Sequence, residues 1–208
     1  MGKLIAIVGN GGTGKTTLTQ KLCGSGSFTA LLEQHKERPF QKKFSSELRR
    51  FSLANQMDYL LFRAEQEIYV RQNDIIGVQD GGLDQDFHVF TKLFRHKGYL
   101  DEEEFQLCER LYSSLRQYLP TPDLFIWLSA PRSILIERRG KRKRDLDIAG
   151  SDDLEEMEFL IKDWLSNVST PTLTIDTSVE DPSYESLGDS LDGRIRKIMG
   201  IRQNFLNC

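Results

Sequence analysis

Only three cysteines occur in the 208 residues, Cys23, Cys108 and Cys208, an odd and widely spaced set without metal-ligand spacing. No zinc site is implied, and the expectation is reduced thiols in a cytoplasm. Missing too is any run of about 18 apolar residues, so no segment reads as a membrane span. The chain enters an apolar strand almost at once, without a cleavable leader. Ala6 stands where a myristoylation signal opening with Met1-Gly2 wants Ser or Thr. The expectation is a soluble intracellular protein. An excess of one charge is lacking as well: 28 basic against 31 acidic residues give a formal net charge of −3, no reason to coat nucleic acid. With no internal repeat and no linker-like stretch, one domain over residues 1–208 is expected, large enough for a full core.

What is present is Gly9-Asn-Gly-Gly-Thr-Gly-Lys-Thr16, which satisfies G-x-x-x-x-G-K-[ST] at every position and directly follows the apolar run Leu4–Val8. An amphipathic helix carrying Leu18 and Leu22 comes next, so strand, loop and helix stand in the order a P-loop requires. Gly9, Gly11, Gly12 and Gly14 permit positive φ, and Asn10, Thr13 and Thr17 share a backbone whose N–H groups form a nest for a phosphate chain. Lys15 reaches the β and γ phosphates, and the Thr16 hydroxyl suits the shell of a Mg²⁺ ion. ATP with Mg²⁺ is the expected cofactor pair.

Further along, apolar runs alternate with helical spacing. Phe28–Leu32 reads as a strand delivering Glu33 at its C-terminal end, the end where ligands sit in parallel sheets; read alone, Glu33 is equally a solvated loop charge. Residues 46–72 lack Gly and Pro, and their apolar residues, among them Leu60, Leu61, Ile68 and Tyr69, predict one long helix. Asp74–Asp80 reads as a strand presenting Asp80 to a metal beside the P-loop, or as an ordinary strand end before Gly81 and Gly82. Helices are predicted over 84–96, 101–118, 152–166 and 183–199, another after Pro131, and strands at Asp123–Leu128 and Thr172–Ile175. The fold class is α/β: a three-layer P-loop NTPase fold, its five-stranded parallel sheet flanked by helices, with a lid of the kind found in nucleoside monophosphate kinases.

Arg138-Arg-Gly-Lys-Arg-Lys-Arg144 places six cations in seven residues, the largest charge anomaly in the chain. Such a run can be a nuclear address, a nucleic-acid patch or a solvated face. Its place between two helices favours a lid, about residues 138–150, whose arginines fold over a transferring phosphoryl group.

In element order over residues 3–166 the chain resembles the deoxynucleoside kinases, a branch of the thymidylate-kinase-like P-loop kinases. The resemblance implies that Glu33 is the general base on a nucleoside 5′-hydroxyl. It implies that Gln56 and Arg63, two helical turns apart, meet the base, that Asp86 pairs with Arg63, and that Phe90 stacks on the base. The lid pattern of the family falls on Arg138, Arg142, Arg144 and Asp147, with Asp147 accepting from the sugar 3′-hydroxyl. Lys15, Arg138 and Arg142 would stabilise the phosphoryl group, and Thr16 and Asp80 would hold the metal. A homodimer packed through the long helices is implied as well.

Two positions depart from the family pattern. Gly81 stands where it has an arginine that neutralises charge at the reacting oxygens, and Ser45 or a neighbour where a tyrosine touches the sugar. The leading reading is Mg²⁺-dependent transfer from ATP to the 5′-hydroxyl of a deoxynucleoside. A nucleoside monophosphate acceptor and a catalytically weak ATP-binding regulator remain alternatives. No Asn-Lys-x-Asp motif occurs, which argues against a GTPase.

Overall fold

The computed structural model describes residues 2–24, 26–33, 38–141, 150–178, 184 and 188–201. Five parallel strands form its sheet: β1 (Lys3–Gly9), β2 (Thr29–Leu31), β3 (Ile76–Asp80), β4 (Leu124–Ser129) and β5 (Thr172–Asp176), in the order β2-β3-β1-β4-β5. β1 is central because the chain goes first to the edge at β2, returns to place β3 beside β1, and then crosses to β4 and β5 on the other side. That reversal opens a crevice at the strand C-termini beside β1. Register fixes what lies there: Ile7 pairs with Asp80, and the Gly81 N–H donates to the Ile7 carbonyl at 2.9 Å, so the end of β3 abuts the start of the glycine loop.

Helices cover both faces, which is why β1 reads as a continuous apolar run. Ile5 and Ile7 pack toward α1 (Lys15–Cys23) and α9 (Gly188–Met199), with Leu18, Leu22, Leu191 and Ile195. Ala6 and Val8 face the opposite layer, where Phe94, Phe125 and Trp164 close the core. Truncating a buried ring such as Phe125, 1% exposed, to alanine costs about 3–5 kcal/mol on general grounds. This second layer comprises α2 (Gln41–Ser46), α3 (Leu48–Gln72), α4 (Leu83–Gln85), α5 (Lys92–His96), α6 (Glu102–Tyr118) and α8 (Leu154–Ser166), with α7 (Arg132–Lys141) after β4.

Three elements differ from the sequence expectation. The helix expected from residue 46 begins at Leu48, because Glu47 is non-helical (φ −139°, ψ 75°) and separates it from α2, whose Phe44 buries against Phe94, ring centroids 5.0 Å apart. The helix at 84–96 is not uniform: Asp86–Thr91 forms a π-helical turn between α4 and α5. The last helix, expected over 183–199, is described over Gly188–Met199, and Tyr184, with φ 56°, lies outside it.

The acidic opening of α6 is structural, as its place at a helix N-terminus suggests. Asp101 accepts from the Glu104 N–H at 2.9 Å, Glu104 accepts from the Asp101 N–H at 2.9 Å, and Arg49 of α3 bonds both carboxylates at 2.6 Å.

Candidate active site

The glycine loop is held by its own side chains. Lys15 Nζ donates to the carbonyls of Gly9 (2.8 Å) and Asn10 (3.0 Å), and Thr13 Oγ1 to Asn10 O at 2.8 Å. Gly14 has φ +94°, and a Cβ there would lie 2.4 Å from Tyr184 Oη, which itself donates to the Thr13 carbonyl at 2.9 Å. No other residue satisfies both the backbone and that contact. The Asn10 carboxamide turns outward, donating to Leu154 O (3.0 Å) and Glu158 Oε2 (3.1 Å), so only its backbone faces the phosphate nest. Thr17 follows Thr16 in the first turn of α1. Thr16 Oγ1 donates to Asp80 Oδ2 at 2.6 Å, which brings two hard oxygen donors together beside the loop.

A cleft runs from this loop along α3. It is lined by Gly11, Lys15, Glu33, Asp80 and Gly81, which lie in or beside the glycine loop and the strand ends, and by Gln56, Arg63, Asp86 and Phe90 from α3 and the π turn. Gln56 and Arg63 come from the inward face of α3 and reach the same residue. Gln56 Nε2 donates to the Asp86 carbonyl at 2.8 Å, and Arg63 Nε to Asp86 Oδ2 at 2.9 Å. The Asp86 carbonyl, at the start of the π turn, also accepts from Thr91 Oγ1 at 3.0 Å. Burial pushes the Asp86 carboxyl up to about 6 against the pull of Arg63. The Arg63 guanidinium rises above its usual range: burial lowers it, but Asp86, Glu33 and Asp80 more than offset that.

Arg138 is not brought to the cleft. Its guanidinium donates to Thr177 O (2.6 Å) and Thr177 Oγ1 (3.2 Å), tying α7 to the end of β5. Consecutive helix residues point in different directions, so the neighbour Arg139 takes the cleft side. Its Nη1 passes 3.8 Å from where a Cβ on Gly11 would be and donates to Gly150 O at 3.2 Å. Arg142, Arg144 and Asp147 lie outside the described residues. Ser45 is exposed, its hydroxyl spent on Lys42 O at 2.8 Å.

Residues missed by the sequence reading also line the cleft: Gln41, Asn55 and Tyr59, whose Oε1, Oδ1 and Oη are buried without a partner. Burial, reinforced by the charges of Glu33 and Asp86, holds the Tyr59 phenol far above its ordinary range. The signal was available. Ser52, Asn55, Gln56, Tyr59, Arg63 and Glu67 recur at helical spacing and all are buried, whereas Leu61, Ile68 and Tyr69, used to predict the helix, are 46%, 38% and 51% exposed. Polar periodicity, beside the buried apolar Leu60, Ala64 and Val70, marks the inward face of α3 here.

A family profile described as "Deoxynucleoside kinase" matches residues 5–192. The chain is 27% identical over 204 residues to a deoxyadenosine/deoxycytidine kinase of Bacillus subtilis, covering 95% of this chain and 92% of that protein. To the deoxyguanosine kinase of the same organism it is 26% identical over 160 residues, 77% of this chain and 75% of that one. The fold is shared with a solved deoxyadenosine kinase from M. mycoides that has the products dCMP and a flexible dCDP bound. The TM-score is 0.78 at 19% identity, covering 93% of this chain and 99% of the other. With a phosphate loop, a polar α3 face and this profile spanning nearly its whole length, the chain belongs to the deoxynucleoside kinase family.

Proposed function

We propose that the chain transfers the γ-phosphoryl group of ATP to the 5′-hydroxyl of a deoxynucleoside whose base carries an amino group, adenine or cytosine. Glu33 takes the hydroxyl proton, Lys15 and Arg139 steady the phosphoryl oxygens, and Phe90 faces the base. The hydroxyl of Thr16 and the carboxylate of Asp80, 2.6 Å apart, are the donor types a Mg²⁺ ion takes; bound there it would neutralise charge on the nucleotide phosphates. Arg142 belongs to the same phosphoryl set and Asp147 to the sugar, on the lid pattern of the sequence.

The observation that carries the base assignment is the Gln56 carboxamide. One Nε2 hydrogen is committed to a carbonyl, the Asp86 O, which can only accept; this sets the orientation of the carboxamide and leaves its Oε1 as an acceptor for substrate. An acceptor there pairs with the exocyclic amino group of adenine or cytosine, where thymine presents a carbonyl and has only its ring N–H to donate. The 27% identical relative named for deoxyadenosine and deoxycytidine supports the same reading. Turnover of the four deoxynucleosides with ATP and Mg²⁺ tests it: deoxyadenosine and deoxycytidine should exceed thymidine in kcat/KM by roughly 10²-fold or more, since leaving a polar site group unpaired is heavily penalised. Preference for thymidine would overturn it. Glu33→Gln should abolish most turnover with each substrate while leaving ATP binding intact.

The exposed apolar stripe Leu61, Ile68 and Tyr69 on α3 supports a homodimer through this helix, which light scattering tests. Among the described residues no helix is long and apolar enough to cross a membrane, which together with the reduced thiols of Cys23 and Cys108 supports a cytoplasmic location.

A further inference from the structure

Arg63 has more hydrogen-bonding capacity than the base end of the cleft uses. Its Nε is taken by Asp86 at 2.9 Å and its Nη1 by Gln66 Oε1 at 3.3 Å. Nη2 has no hydrogen-bond partner among the described residues, although the residue is only 2% exposed. It points at Gly81: a Cβ there would stand 3.0 Å from Nη2. Gly81 has φ +87°, a conformation that disfavours any side chain, so the space belongs to the guanidinium.

That space is at the reacting end. Gly81 follows Asp80, whose carboxylate holds Thr16 of the glycine loop, and Lys15, Glu33, Asp80 and Gly81 line the cleft together. Nη2 therefore keeps its N–H groups for an acceptor that enters the cleft beside Gly81, and its positive charge favours an anionic one. Of the ligand oxygens that can enter there, the strongest partners for a guanidinium are anionic phosphoryl oxygens.

We propose that Arg63 serves both ends of the acceptor: Nε fixes the base side through Asp86, and Nη2 donates to the phosphoryl oxygens of the deoxynucleoside monophosphate as it forms. This rests on the kinase reading above. Arg63 thereby senses whether the 5′-oxygen carries a phosphoryl group, which a residue that only frames the base does not do.

The test compares two ligands that differ only in that group. Calorimetric Kd values for deoxyadenosine and for its 5′-monophosphate are measured, without ATP, on the wild type, on Asp86→Asn and on the double variant Arg63→Met/Asp86→Asn, which removes the buried pair as a unit. Relative to Asp86→Asn, the double variant should bind the monophosphate about 10-fold or more weaker, as expected for a lost charged hydrogen bond, with the nucleoside changed less than about 3-fold. Equal losses for both ligands would overturn the proposal. If the double variant does not fold, Gly81→Ala carries the test. Its methyl group displaces Nη2 and should weaken the monophosphate selectively, and an unchanged ratio of the two Kd values overturns the proposal. A wild type that binds neither ligand would instead refute the kinase reading.

Discussion

The side-chain amide of Gln85 pairs with both backbone groups of Gly9: the Gly9 N–H donates to Oε1 at 2.9 Å, and Nε2 donates to the Gly9 carbonyl at 3.2 Å. Gly9 opens the phosphate loop and its carbonyl also receives Lys15, while Gln85 immediately precedes Asp86. The nucleotide end and the base end of the cleft are thus joined by one buried amide pair.

Gln85→Leu leaves the Gly9 N–H unpaired in the interior. Expected is a loss of about 1–3 kcal/mol, read as a Tm lower by several degrees in a thermal melt. KM should rise for ATP and for the deoxynucleoside together. A rise for one substrate alone would show that the pair does not link the two ends.

Metal dependence tests the Thr16–Asp80 contact. Thr16→Val keeps the shape of the loop but removes a hard oxygen donor. The Mg²⁺ concentration giving half-maximal turnover should increase about 10-fold or more, as for loss of a ligand or its orienting partner. An unchanged magnesium requirement would exclude Thr16 from the metal shell.

Acidity should act on substrate binding through Asp86. Its carboxyl goes from 3.8 to about 6, because burial outweighs the Arg63 guanidinium. The folded state therefore keeps a proton that the unfolded chain has released. The stability this contributes is complete below about pH 4 and is lost as pH rises through about 6. Binding runs the other way, since the ionised carboxylate is the partner of Arg63. KM for the deoxynucleoside should fall between about pH 5 and 7, with an inflection near 6 that Asp86→Asn abolishes. Persistence of the inflection in that variant would assign it to another group.

Arg116 of α6 is the cation of a second buried cluster. It bonds both Glu67 oxygens at 2.7 and 2.9 Å and Asp84 at 2.8 and 3.0 Å, and Tyr112 adds a hydrogen bond to Asp84 at 2.7 Å. Burial still raises the Glu67 carboxyl in spite of Arg116. Arg116→Leu strands two carboxylates and should cost about 3–5 kcal/mol in urea unfolding at pH 7. Part of that loss should return near pH 5, as the stranded groups take up protons. A loss independent of pH would locate the effect in packing.

The five parallel strands, the phosphate loop and the Thr16–Asp80 pair follow from local signals, apolar strand runs and a fixed motif, and were legible in the chain, whereas the order of the strands was not. That Gln56 and Arg63 share one face followed from helical spacing, while their meeting with Asp86 was implied by the family resemblance alone. Arg139 was not legible, because choosing between adjacent arginines requires the rotation of α7 against the loop. Gln85 and Tyr59 were missed for a different reason. Their partners are a backbone group and an empty cleft, and neither leaves a mark in residue spacing. Leu61, Ile68 and Tyr69 helped to mark the helix but not its inward face, because helical spacing does not say which side the core covers.

The π-helical turn Asp86–Thr91 has a consequence for how this scaffold can diversify. Such a turn accommodates an extra residue within an otherwise ordinary helix, which changes the phase between Asp86 and Phe90. Deleting one codon there would restore regular winding and swing the aromatic ring to a different azimuth over the cleft. Substrate range is then adjustable by chain length, with every contacting residue type retained.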